Sequence, residues 1–176
     1  PPVPPEPDVP PEEEEEDDDP DIIASDGYGA GSRWTVGTSV DVFSPRPGNS
    51  GVVTINGETV IAPGASGQYA FKIENPGRRA VRYVVRLDES DQNDPKLRLR
   101  YRLATGLPGA GYVGGSSWQE VGDISMGEVT IGPGETHYYT LEWKWEAGDD
   151  AVDTSIGLQE PGPVYVLNIV INAWYR

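Results

Sequence analysis

Few side chains in this 176-residue chain have the types and spacing for covalent or metal chemistry. His137 is the single histidine, cysteine is absent, and neither H-E-x-x-H nor G-x-S-x-G occurs. A zinc hydrolase needs about three protein ligands and a base, and a serine triad needs a histidine beside its nucleophile. Neither can be assembled here, so His137 reads as an ordinary strand residue and the chain as a non-enzyme without cofactor or metal. Without cysteine there are no disulfides, thiolate nucleophiles or sulfur-ligated metals. Asp149, Asp150 and Asp153 cluster in one segment, and Asp88, Glu89, Asp91 and Asp94 in another. Carboxylates on a loop could hold calcium, but EF-hand spacing is missing and short acidic loops are usually solvated. Trp34, Trp118, Trp143, Trp145 and Trp174 could stack on sugars. Trp143 and Trp145 share a strand face with Tyr139 and Leu141, which makes core packing the simpler account.

These residues must be positioned by a chain of uneven composition. The first twenty residues hold eight of the seventeen prolines and ten of the twenty-nine acids, with no basic residue. Nineteen acids against thirteen bases remain, so the body carries about −6 of the formal −16. Proline fixes φ and the packed acids repel, so residues 1–20 are expected to be an extended, polyproline-II-like tail. A chain this acidic is a poor partner for nucleic acid or an anionic membrane surface. No apolar run approaches the roughly eighteen residues that mark a membrane span. The chain begins with Pro1 rather than methionine, which reads as a processed mature form.

From Trp34 onward the pattern alternates. Trp34, Val36, Thr38, Val40 and Val42 share one strand face; Tyr69, Phe71 and Ile73 share another. Val81, Tyr83, Val85 and Leu87 alternate with Arg82 and Arg86; Leu97, Leu99, Tyr101 and Leu103 alternate with Arg98, Arg100 and Arg102. Asn56-Gly57 is a hairpin signal. A long β-branched run closes the chain, and no window has a convincing helical period. This spacing predicts an all-β jelly-roll or β-sandwich of about eight or nine strands over residues 34–176. Ile61 to Ile73 also matches Ile131 to Trp143 position for position, each with a proline-glycine turn feeding a strand of alternating large apolar residues. The two read as equivalent corners of one sandwich.

Three segments in order carry a family resemblance. Thr35 to Val42 (TVGTSVDV) is similar to the T-x-G-T-L-D-L strand that opens mature TasA/camelysin proteins. Ile61 to Leu87 resembles that family's L-x-P-G segment, which continues into F-x-[IF]-x-N-x-G. Leu141 to Trp145, Asp153 to Gly157 and Val164 to Ala173 resemble its closing strands. The resemblance implies an exported jelly-roll subunit, trimmed by a signal peptidase, that builds biofilm-matrix or cell-surface fibres by donor-strand complementation. The donor would then be residues 21–33, whose apolar patch is Ile22, Ile23 and Tyr28. Under this expectation the chain is secreted and its partner is a second copy of itself. The rival reading is an Ig-like adhesin or carbohydrate-binding module on a proline-rich stalk. A further expectation concerns the acidic tail. If the strands bearing Arg82, Arg86, Arg98, Arg100 and Arg102 are neighbours, five guanidinium groups share one outer face. Glu12 to Asp19 could then dock there through bidentate pairs.

Overall fold

The computed structural model describes residues 2, 20–29, 33–34, 40–44, 46–56, 58–93, 96–148, 150–157 and 165–176. The acidic run Glu12 to Asp19 and the middle of the strand expected between Trp34 and Val42 lie outside the described residues. In chain order the strands are β1 (Ile23–Asp26), β2 (Arg33–Trp34), β3 (Val40–Asp41), β4 (Asn49–Ser50), β5 (Val53–Ile55), β6 (Glu58–Val60) and β7 (Ser66–Glu74). They continue as β8 (Val81–Asp91), β9 (Leu99–Thr105), β10 (Val129–Ile131), β11 (Thr136–Trp145) and β12 (Tyr165–Tyr175). One antiparallel sheet runs β2-β1-β7-β11-β9, with β4 also on β7; the other runs β10-β8-β12-β3. From β7 to β12 each successive strand changes sheet. The fold is the expected all-β sandwich.

Alternation puts one face of each long strand between the sheets. Tyr69, Phe71 and Ile73 meet Tyr139, Leu141 and Trp143 in one sheet, and Val81, Tyr83, Val85, Leu167, Ile169 and Ile171 line the other. Each large apolar side chain so buried stabilises the fold by about 1.5–3 kcal/mol. Phe43 packs edge-on against Trp143 at 5.1 Å and against Tyr165 at 5.7 Å, and the Tyr101 and Tyr165 hydroxyls pair at 2.6 Å across the sheets. Trp143 and Trp145 are core residues, while Trp118 and Trp174 are half-buried.

The two matching segments prove to be neighbours. Ala70 on β7 pairs with Thr140 on β11, the residue seventy positions later, so a local two-fold relates the strands. The corners obey it. Gly64 N–H donates to Trp145 O and Trp145 N–H to Ala65 O; likewise Gly134 N–H donates to Asn75 O and Asn75 N–H to Glu135 O. The match extends upstream, from Gly57-Glu58 against Gly127-Glu128. β10 lies on β8 at the edge of its sheet, but its counterpart β6 does not lie on β12, where β3 is paired instead. β6 pairs with β5 in a separate two-stranded ribbon, through the two-residue turn that Asn56-Gly57 predicts; Asn56 has φ +52°.

Two expectations are corrected. The structure has twelve strands among the described residues against the eight or nine expected over 34–176: β1 lies before that range, β2 and β3 are two-residue pieces at either end of the strand expected from Trp34 to Val42, and β4 is too short to show a period. The chain also contains a helix, α1 (Asp150–Gly157), where the family resemblance puts closing-strand residues Asp153 to Gly157. Its two turns are too short for an apolar stripe, and Asp150 and Asp153 suit its first turn electrostatically.

Candidate subunit interface

The segment expected to act as donor lies on its own chain's sheet. β1 runs antiparallel to β7 with Ile23 opposite Glu74, Ala24 opposite Ile73, Ser25 opposite Lys72 and Asp26 opposite Phe71. β4 covers the rest of that edge, pairing Asn49 with Tyr69. The two pieces meet end to end at Ala70, which donates to Gly48 O and accepts from Gly27 N–H. Gly48 makes this junction feasible: at φ +88°, a Cβ there would stand 2.6 Å from Ala70 O and 2.9 Å from Gly27 N.

Ile22, Ala24 and Asp26 share the inward parity and are buried; on the other parity Ser25 is buried too, whereas Ile23 is half-buried. Tyr28 folds over the outer face, donating to Gly106 O at 2.5 Å, contacting the Thr140 hydroxyl, and meeting Tyr138 edge-on at 5.3 Å. The three predicted interface residues therefore occupy three environments: core, sheet surface and outer cleft. Sequence reasoning missed Asp26. Its carboxylate is fully buried and accepts from Arg46 Nε at 2.9 Å and from the Tyr69 hydroxyl. Burial, reinforced by the Asp26 carboxylate, pushes the Tyr69 phenol well above its usual range. Two-residue parity with Ile22 and Ala24 marks Asp26 as inward; its cation, twenty residues away, leaves no local signal.

His137 sits on β11 at the mouth of the sandwich. Its Nδ1 is hydrogen-bonded to the Tyr83 hydroxyl at 2.7 Å, and that hydroxyl also contacts the Tyr139 hydroxyl. Burial raises both phenols above their ordinary values.

The five arginines do not form one face. Arg82 and Arg86 lie on β8 in one sheet, whereas Arg100 and Arg102 lie on β9, and Arg98 just before it, in the other. β8 and β9 are consecutive, but the chain changes sheets between them, so their outward residues face opposite sides of the sandwich. Each guanidinium has a carboxylate partner: Glu128 for Arg82, Asp88 for Arg86, Asp153 for Arg98, Glu120 and Glu146 for Arg100, and Glu142 for Arg102. Of the two acidic clusters, Asp94 and Asp149 lie outside the described residues, and members of both that are described have partners. Asp153 holds Arg98, and the Asp91 carboxylate accepts from the Asn93 and Leu97 N–H groups. Among the described residues no three His, Asp or Glu side chains converge as a metal site would require, and no helix is long and apolar enough to cross a membrane.

Fold and edge geometry together define an all-β sandwich in which one sheet is completed by the chain's own N-terminal segment. Comparison with family models, with curated proteins and with solved structures found no match for this chain.

Proposed function

We propose that the chain is the structural subunit of a secreted extracellular filament, in which the donor segment 21–33 of one copy, through β1, completes the β7 edge of the next. The observation that carries this reading is the place of β1: an N-terminal strand, preceded by the proline- and acid-rich tail, that fills a sheet edge and puts Ile22 and Ala24 into the core. A strand that covers a sheet edge can be supplied by its own chain or by a neighbour with the same backbone bonds and the same pocket contacts, which is strand exchange at little cost. The edge itself must be covered, since an open row of N–H and C=O groups invites uncontrolled pairing. Passed head-to-tail from copy to copy through a rotation that does not close, the exchange propagates as an open filament; passed back reciprocally between two copies, it would stop at a dimer. Secretion and a biofilm or cell-surface setting follow from the TasA/camelysin resemblance and belong to the same proposal, as does the absence of an enzymatic role. The adhesin alternative is less well supported, because Trp118 has Arg102 and Lys144 against its ring, at 4.4 and 4.8 Å.

The test uses the lack of native cysteine. Ser25 and Lys72 are directly opposed, so a Ser25→Cys/Lys72→Cys chain can form a disulfide only where β1 meets β7. Oxidised fibres should run as a ladder of covalent multimers on non-reducing gels. Regular fibres yielding only internally bridged monomer would show that β1 stays at home and would refute strand exchange.

A further inference from the structure

Five large apolar residues are exposed among the described ones, and they fall into two groups at opposite ends of β11. Val53, Ile55 and Val60 are 56, 54 and 41% exposed on the β5–β6 hairpin. Val53 is paired with Val60 and Ile55 with Glu58, so the three share one face of the ribbon. The corner after this hairpin is bonded to Trp145, at the far end of β11. Leu107 and Tyr138 are 63 and 44% exposed and lie at the near end, where Tyr28, Gly106, Leu107 and Tyr138 line a cleft of about 340 Å³.

The internal match shows that the hairpin's apolar face is a local substitution. The segment Glu58-Thr59-Val60-Ile61 corresponds to Glu128-Val129-Thr130-Ile131 with the valine and threonine exchanged. In β10 the valine turns toward the core and the threonine toward water. In β6 the order is reversed, so valine is on the water side and Val53 stands across from it. An isolated two-stranded ribbon is marginal in water, and one with its apolar face outward needs a cover.

We infer that this hairpin docks into the Tyr28–Leu107–Tyr138 cleft of a second copy. Knob and cleft lie at opposite ends of one strand, so the contact is heterologous and can repeat from copy to copy. Charge points to the same occupant. Copies of a chain at −16 repel, and Val52 to Ile61 carries one charge, Glu58, so the ribbon is a place where two copies can approach closely. The size of the patch sets its role. Three side chains against a small cleft fall well short of the roughly 1,200–2,000 Å² that a stable complex buries. The contact therefore acts beside another, as a second point of attachment whose strength comes from effective concentration. It deepens the filament reading and rests on its premise that copies assemble.

Two full-length chains test it, Ile55→Cys and Leu107→Cys, each with a single, exposed thiol. Mixed and oxidised under assembly conditions, they should give about fivefold or more disulfide dimer than either chain alone, because only the mixture pairs knob with cleft. Equal yields from the mixture and from the separate chains would overturn the inference, as would a dominant Ile55→Cys homodimer. A Val53→Lys/Ile55→Lys chain should associate about tenfold more weakly by sedimentation, since the ammonium groups would enter an apolar cleft. Unchanged association would also overturn it. The Ser25–Lys72 disulfide reads strand exchange alone. A mixed Ile55–Leu107 disulfide with Ser25–Lys72 bridging only within chains would sink strand exchange and leave the hairpin contact standing. The opposite pair of results would do the reverse.

Discussion

The two flanks of the β7–β11 pair are finished in different ways. On the β11 side the edge strand is β9, and the loop that follows it folds back to cover its outer row. Tyr101 and Gln119 exchange both backbone hydrogen bonds, Val113 N–H donates to Leu103 O, and Thr105 N–H donates to Gly111 O. Arg102 clasps this loop. It forks onto Glu142 with two bonds of 3.2 Å, donates to Ser116 O, and lies over the rings of Trp118 and Tyr112. On the β7 side the cover comes from β1, near the chain's beginning, abutted by β4. Both edges are protected, one by a loop whose two ends both belong to strands of the fold and the other by the first strand in chain order among the described residues, the one the proposal above takes to be exchanged. In the proposed filament, the β9 edge blocks misassembly and the β7 edge permits assembly.

The largest effects should separate stability from exchange. Leu103→Ala on β9 and Ile22→Ala beside β1 each empty part of the core and should cost about 2–5 kcal/mol in denaturant unfolding. Only Ile22→Ala should also weaken the Ser25–Lys72 intermolecular disulfide in assembled material. Equal loss in both variants would erase the distinction between the flanks.

Next come the glycines. Gly48 and Gly109 both have positive φ, +88° and +86°, but only a Cβ at Gly48 would strike backbone. Gly109→Ala should cost about 1 kcal/mol, the ordinary left-handed penalty. Gly48→Ala should cost about 2 kcal/mol or more and accelerate amide exchange at β1, because the β1–β4 junction must open.

Arg102→Ala should cost about 1 kcal/mol and raise amide exchange at Val113 and Gln119 without altering β1. Arg102→Lys should recover little of this, since the carboxylate fork is lost.

The smallest effect concerns β3. Burial holds the Asp41 carboxyl above its ordinary value of 3.8, against the opposing pull of the Phe43 N–H and of Arg46. The folded state thus binds this proton more tightly than the unfolded state, so the contribution to stability falls as pH rises through the window above 3.8. Asp41→Asn should remove that slope. The difference between wild-type and variant unfolding midpoints should grow in the variant's favour as pH rises above 3.8 and then level off once the folded-state carboxyl has ionised. A difference that stays constant with pH would mean that Asp41 titrates alike in both states.

Much of the sandwich can be read from two-residue periodicity, because a strand with one buried face must repeat its apolar residues on every second position. Tyr69 to Ile73, Val81 to Leu87, Leu99 to Leu103 and Tyr139 to Trp145 are inward where alternation puts them. The Asn56-Gly57 turn and the two proline-glycine corners were equally legible, because turn chemistry is local. Tertiary structure decided which strands became neighbours. Pairing joins residues far apart in the chain, and alternation is the same whichever partner a strand finds. Hence the arginines of β8 and β9, alike in pattern and consecutive in sequence, ended on opposite sides. Hence also Asp26, an unremarkable acid in a glycine-rich stretch, became a buried anchor once Tyr69 and Arg46 were folded against it. A short-range pattern can specify which face of a strand is wet, but only the closed sandwich specifies what that face meets.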